Sequence, residues 1–395
     1  MQRQPFRRVS QHVAALLLVG IALALEFTSG CGVSDPVRKQ PLPAPPPADL
    51  RIVGYVAGWE PWAPIDTHAL NALNYAFAHV SDGEVVVDQN NAERFLAALC
   101  MQRGKSPWLR VLVSIGGWGA DGFSDAALTE ASRTRFAASV ARLIKRYAVD
   151  GVDIDWEYPG LPGPGIVHRA EDRRNFTLLL TAIRQALNAL PPRSYGKLRD
   201  NRYFLTAALA DSQFVENIEL ARVAEQLDWV NLMAYDFHNS LTPTTGHHAA
   251  LSASASANAD ERSVERAVAQ FLAAGVPAHK LVVGVPFYGR AFADVHPENH
   301  GLDQPFGHYE GDHPWPQLVA DFIDRNGYVR YWDAQSKAPF LWNGQSRTFI
   351  SYDDPESLKI KADYVKSHHL GGVMYWEQSQ DPNGELLDAL SDSLR

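Results

Sequence analysis

From residue 51 onward the sequence repeats one unit, a short run of β-branched and aromatic residues followed by a stretch with apolar residues at helical spacing. The extended runs are RIVGYVAGW (51–59), ALNYAFAHV (72–80), LRVLVSIGGW (109–118), GVDIDWEY (151–158), YFLTAALA (203–210), WVNLMAYDF (229–237), KLVVGVPFYGR (280–290) and GGVMYWEQ (371–378). Helical patterns lie between them, among others at 134–147, 173–190 and 263–275. Strands that alternate with helices pair in parallel, and eight such units favour a closed (β/α)8 TIM barrel, an α/β fold, over an open doubly wound sheet. No Gly-rich phosphate-binding loop follows the first run, which argues further against a nucleotide-binding sheet.

The seventh and eighth runs stand much farther apart than one helix requires. SYDDPESLKIKADYVKSHH (351–369) supplies that helix and leaves 291–349, rich in Trp, Tyr, Phe, Gly and Asp, as a small α+β insertion. The barrel is then expected over 51–290 and 350–395, with the insertion at the C-terminal ends of the strands, where barrel active sites lie. One barrel plus one insertion accounts for most of the 395 residues.

Ahead of the barrel, Arg3, Arg7 and Arg8 precede an apolar run from Val13 to Leu25, followed by Thr28, Ser29, Gly30 and Cys31. This reads as an export signal over 1–31, the apolar run being shorter than the roughly 20 residues a membrane helix needs. Cys31 resembles the modified cysteine of a bacterial lipoprotein, with small residues before it and a polar, Pro-rich linker over 32–50 after it. The expectation is an exported protein, either held at the bacterial envelope through lipid on Cys31 or cleaved and secreted. Any membrane contact would run through that anchor alone. Cys100 is the other cysteine, so a lipidated or removed Cys31 leaves core packing to supply stability without a disulfide. A net charge of -9 with no long basic run gives no footprint for a nucleic-acid backbone.

The fourth run, within AVDGVDIDWEYPG (148–160), crowds Asp150, Asp153, Asp155 and Glu157 into an otherwise apolar strand. Residues two apart on a strand point the same way at a spacing of roughly 6.6 Å, so Asp153, Asp155 and Glu157 share one face and Val152, Ile154 and Trp156 the other. In a barrel the apolar set packs beneath helices and the acids point inward near the C-terminal rim. Three partly desolvated carboxylates do not all ionise at neutral pH, so at least one holds a proton. A carboxyl kept protonated near pH 7 suits donation to a leaving oxygen, and Glu157, nearest the rim, is the candidate donor. A calcium loop fits poorly, because Tyr158 occupies the position that needs Gly and bulky apolar residues separate the acids.

These four acids match the DxxDxDxE signature of the family 18 glycoside hydrolases, and the chain resembles the chitinases of that family. SIGGW (114–118), NLMAYDFH (231–238) with the following TGHHAAL, VPFYGR, SYDDPESLKIK and GVMYWE are also similar, so the likeness runs from 51 to about 392. The resemblance implies hydrolysis of β-1,4-linked N-acetylglucosamine polymers by a substrate-assisted retaining mechanism. Glu157 would be the acid, Asp155 would orient the substrate acetamido group, Asp153 would share a proton with Asp155, and Tyr235 would bind the acetamido group with Asp236 assisting. Asp150 would brace the start of the strand. Trp376 would floor the sugar site, and Tyr55, Phe77, Gly117, Trp118, Tyr158, Met233 and Arg290 match cleft positions. No metal or cofactor is implied, and a monomer acting on chitin or its oligomers is expected. Trp59 and Trp62 are either extensions of the aromatic path or surface packing, and the His pairs at 247–248 and 368–369 read as loop and helix-end residues. The alternatives are a non-catalytic chitin-binding lectin on the same fold, whose usual mark is loss of the strand-four Glu, and a family 18 hydrolase of peptidoglycan or N-glycan cores.

Overall fold

Eight short strands, each buried on both faces, close on themselves. They are β1 (Arg51–Ala57), β2 (Ala72–Ser81), β3 (Arg110–Gly116), β4 (Gly151–Asp155), β5 (Phe204–Leu209), β6 (Trp229–Leu232), β7 (Leu281–Pro286) and, later in the chain, β13 (Gly372–Trp376). In this computed structural model, which describes residues 45–47, 49–61, 65–193, 202–254 and 261–395, the order is β1-β13-β7-β6-β5-β4-β3-β2. All neighbours in that order are parallel, and β1 paired with β2 completes the barrel. The export segment, Cys31, most of the 32–50 linker and Trp62 lie outside the described residues.

The helices cover the barrel where the apolar periodicity demands it: α1 (Gln89–Met101), α2 (Glu130–Tyr147), α3 (Asp172–Asn188), α4 (Leu220–Gln226), α5 (Val264–Ala273), α6 (Pro355–Ser367) and α7 (Glu385–Leu394). Their starts are fixed by local chemistry. Thr129 and Ser132 form a capping box on α2, and Asp354 with Ser357 forms one on α6, where Pro355 opens the helix.

The alternation on β4 decides what faces where. Val152 and Ile154 join the core between strands and helices with Phe176, Leu179 and Ile183 of α3. Trp156 stacks on Phe123 at 5.4 Å and meets Phe176 edge-on at 5.7 Å. Asp153 and Asp155 therefore turn into the barrel, where both are buried. Asp150, at the foot of the strand, accepts hydrogen bonds from Arg103 (2.6 Å), from the backbone N–H of Val111 (2.7 Å) and from Arg193. It braces the strand's start and does not line the cleft.

The extended run at 280–290 is two elements. β7 ends at Pro286, and β8 (Tyr288–Ala293) belongs to a second, antiparallel sheet with β9 (His308–Pro314), β10 (Val329–Asp333), β11 (Ala338–Asn343) and β12 (Thr348–Ser351) in the order β9-β8-β12-β11-β10. The sheet therefore begins before residue 291 and ends after 349, because β8 and β12, its first and last strands along the chain, pair with each other inside it. Its own small core gathers Phe292, Val295, Leu302, Phe340, Trp342 and Phe349.

Candidate active site

Inside the barrel, Asp153 is held by donors from four different strands. The Tyr55 hydroxyl of β1 and the Ser114 hydroxyl of β3 each donate to Oδ2 at 2.8 Å, while the Thr206 hydroxyl of β5 and the Asn231 amide of β6 donate to Oδ1 at 2.6 and 3.1 Å. Burial pushes this carboxyl up, and the four hydrogen bonds pull it back toward the anion. Two donors on each oxygen use the full acceptor capacity of a carboxylate. On balance the carboxyl stays above its ordinary value, and the four donors fix it in place beneath Asp155.

Asp155 lies one turn of the pleat higher. Its Oδ1 is buried and meets no hydrogen-bond partner, and its carboxyl is pushed well above the usual range by burial, then by the charges of Glu157 and Asp153. Glu157 stands two residues past the end of β4, half-buried at the cleft. Burial raises its carboxyl to about 7, the Tyr158 hydroxyl pulls the other way, and the Asp236 charge adds to the rise. The resting site therefore holds protons where an ordinary carboxylate pair would not, and the outermost group is the one that titrates near neutrality.

The neighbouring glycines make this geometry possible. Gly116 has φ +124°, and a Cβ there would sit 1.9 Å from the Asp155 carbonyl oxygen. The Gly117 N–H donates to that same oxygen at 3.0 Å, and a Cβ on Gly117 would run into the Phe77 ring at 2.6 Å. Only glycine lets β3 pass this close to the acid strand.

Opposite the acids, Tyr235 and Asp236 follow β6. The Tyr235 ring is buried and its phenol is pushed well above the ordinary value by burial and by the Asp236, Asp155 and Glu157 charges, so it stays a hydrogen-bond donor. Asp236, in the left-handed region at φ +59°, accepts from the Tyr288 hydroxyl at 2.6 Å and from Arg290 Nε at 2.5 Å through Oδ1. His248 Nδ1 lies 3.5 Å from the same oxygen. Burial alone would raise the Asp236 carboxyl, but these partners hold it well below the carboxylate range. Arg290 in turn donates to Tyr309 and Asp312 of the second sheet.

Asp155, Glu157, Tyr235, Asp236, Tyr288, Arg290 and Asp312 open on one cleft of about 1080 Å³. Its floor is aromatic. Trp376 stacks on Phe77 at 5.6 Å with an 18° interplanar angle, and it contacts Tyr55 at 5.5 Å and Trp59 at 6.2 Å. Trp118, 61% exposed, meets Tyr158 edge-on at 6.3 Å.

Of the residues singled out in the sequence, Tyr55, Phe77, Gly117, Trp118, Asp155, Glu157, Tyr158, Met233, Tyr235, Asp236, Arg290 and Trp376 line this cleft, and Asp153 sits behind them. Tyr55 does less at the surface than its position suggested, since its ring is buried and its hydroxyl is committed to Asp153. Trp59 is 60% exposed and belongs to the aromatic path. The histidines at 247 and 248 are more than loop filler: both are buried, His247 pairs with Asp333 of β10 at 3.2 Å, and His248 faces Asp236. Tyr288, Phe214 and Arg262 also line the cleft. Tyr288 was within reach of sequence reasoning as a neighbour of Arg290, whereas Phe214 and Arg262 sit in connections with no motif. Among the described residues no group of three or more His, Cys, Asp or Glu side chains could hold a metal ion.

Comparison with known proteins places this arrangement among carbohydrate hydrolases. The model of the family described as Glycosyl hydrolases family 18 matches residues 51–381. The chain is 40% identical over 305 residues to Chitinase A1 of Niallia circulans, covering 73% of this chain and 43% of that protein. It is 32% identical over 398 residues to Chitinase B of Serratia marcescens, covering 83% and 76%. The chain thus spans under half the length of the first relative and about three quarters of the second. A solved family 18 N-acetylglucosaminidase from Paenibacillus barengoltzii superposes with a TM-score of 0.78 at 39% identity, covering 87% of this chain and all of that one.

Proposed function

We propose, from the premise that the chain belongs to family 18 of the glycosyl hydrolases, that it is a chitinase hydrolysing β-1,4 links between N-acetylglucosamine units. The observation that carries the reading is the stack of acids on β4: an anchored Asp153, an Asp155 with an unpartnered buried oxygen, and a Glu157 raised to about 7 at the mouth of an aromatic cleft.

The chemistry follows from those positions. The Glu157 carboxyl donates its proton to the bridging oxygen as the bond from that oxygen to the anomeric carbon breaks. The carbonyl oxygen of the substrate's own 2-acetamido group attacks the anomeric carbon from the other face, forming an oxazolinium ion, so the enzyme supplies no nucleophile. Asp155 passes its own proton to Asp153 below it, the pair sharing one proton through the cycle, so that Asp155 Oδ1 accepts the acetamido N–H and its charge offsets the developing cation. The Tyr235 hydroxyl donates to the acetamido oxygen. Glu157, now ionised, takes a proton from the incoming water as the ring opens with retention.

Intact Glu157 with both aspartates supports an enzyme over a lectin, whose groove needs no acid. Product profiles on chitin oligomers of several lengths, on peptidoglycan fragments and on glycoprotein glycans test the substrate. Cleavage of the latter two without chitin would overturn the reading, and the ratio of single sugars to oligomers separates a chitinase from an N-acetylglucosaminidase like the Paenibacillus relative.

Two further outcomes are expected. Because the productive Glu157 is the protonated form, kcat/KM should hold below pH 7 and fall tenfold per unit above it, with a limb near the raised value of about 7; a limb near 4.5 would assign the acid elsewhere. Trp376→Ala removes the apolar floor and should raise KM for oligomers about 10-fold, the equivalent of ~1.5 kcal/mol of buried surface, with a smaller change in kcat. Steady-state kinetics on soluble oligomers reads both.

The reading extends to location. The N-terminal signal and Cys31 support an exported enzyme held at the envelope by lipid, and the Pro-rich stretch after it supports a spacer.

A further inference from the structure

Arg262, just ahead of α5, touches the ends of two barrel strands at once. Its Nε donates to Asp211 Oδ1 at 2.9 Å, with Nη2 on the same oxygen, and Asp211 stands just past β5. Its Nη1 reaches the backbone carbonyl of Asp236, just past β6, at 3.3 Å. The guanidinium also sits between two rings, 4.8 Å from Phe237 and 5.5 Å from Phe214. Phe214 packs against Tyr158 at 4.5 Å, and Tyr158 follows Glu157 in the chain and donates toward its carboxyl. The ring contacts lead from the guanidinium through Phe214 to Tyr158, the residue next to the acid.

We propose that Arg262 is a positioning residue for Glu157, fixing Phe214 and the Asp236 backbone so that Tyr158 holds the acid in line with the leaving oxygen. A plain brace between loops would need the Asp211 pair alone. The planar cation stacked on two rings adds a contact that lysine cannot reproduce, and it is the Phe214 side of that stack that reaches the acid. The inference rests on the glycosidase reading given above.

The direction of the effect is fixed by the groups around the acid. Glu157 faces Asp155 of its own strand, Tyr158 beside it, and Tyr235 and Asp236 past β6. Removing Arg262 frees Phe214 and with it the Tyr158 hydroxyl, whose pull holds the Glu157 carboxyl down, so the change favours the protonated carboxyl. The alkaline limb of kcat/KM must therefore move up in pH.

Arg262→Met, Arg262→Lys and Phe214→Leu test this on the full-length enzyme with soluble chitin oligomers, using kcat, KM and the pH profile together. The expected result is a fall in kcat of roughly 10- to 100-fold, as for a displaced catalytic group, with the limb raised by about half a pH unit or more and KM little changed. Arg262→Lys should not restore either quantity, and Phe214→Leu, which keeps the Arg262 pair with Asp211, should reproduce both in part. A wild-type kcat and limb in either Arg262 variant, whatever its Tm, overturns the proposal, as does a loss confined to KM with the limb fixed. So does a Phe214→Leu enzyme identical to wild type, an outcome that remains readable if Arg262→Met fails to fold. The wild-type rate in the same assay reports on the glycosidase reading by itself, so the two failures are distinct.

Discussion

Glu157→Gln is expected to hydrolyse chitin oligomers roughly 10²- to 10⁴-fold more slowly than the wild-type enzyme, the range for loss of a general acid. The amide fills the same space and keeps a hydrogen-bonding edge, so the aromatic cleft should still bind oligomers, and calorimetric titration should return a Kd within a few-fold of wild type. Near wild-type turnover would remove Glu157 from its assigned role. Stability offers an independent reading of the same group. The native carboxyl titrates near 7 while an unfolded one titrates near its ordinary 4.5, so between those values the native state holds the extra proton and wild-type stability declines as pH rises. The amide has nothing to titrate. Glu157→Gln should therefore match wild type in Tm near pH 4 and exceed it above pH 7, a difference that a pair of thermal melts detects.

Asp155→Asn carries the second large effect. Its carbonyl can still accept an N–H, so substrate should bind, but the charge that offsets the oxazolinium ion is gone. Loss of one preorganised electrostatic group of this kind lowers kcat by about 10²- to 10³-fold. The fall should appear in kcat with KM nearly unchanged, because the charge matters when the cation forms and not before. A drop confined to KM would mean that Asp155 serves binding and that another group meets the cation.

The fold was legible because eight runs of extended-chain residues alternated with helical periodicity, a pattern with few solutions. What the sequence blurred were the points where one element yields to another without a change in composition. KLVVGVPFYGR reads as one strand, yet Pro286 ends a barrel strand and Tyr288 begins the second sheet, with only Phe287 between them. Glu157 reads as a strand residue and stands beyond the strand end. The acids themselves were legible through their spacing. The cage around Asp153 was not: Ser114, Thr206 and Asn231 are small polar residues on three separate strands, and only closure of the barrel brings them to one carboxylate. Arg262 and Phe214 escaped for a related reason, since each lies in a connection whose composition says nothing of what it will touch.

The unpartnered oxygen of Asp155 has a consequence for selectivity. A pocket built to receive an amide N–H leaves a buried acceptor stranded when the amide is missing, and sites of that kind discriminate against the deficient analogue far more sharply than an apolar pocket can. Glucosamine in that position puts an amine where the amide belongs and lacks the internal carbonyl that attacks, so the proposed mechanism predicts cleavage of a partly acetylated polymer only where an N-acetylated unit occupies that position.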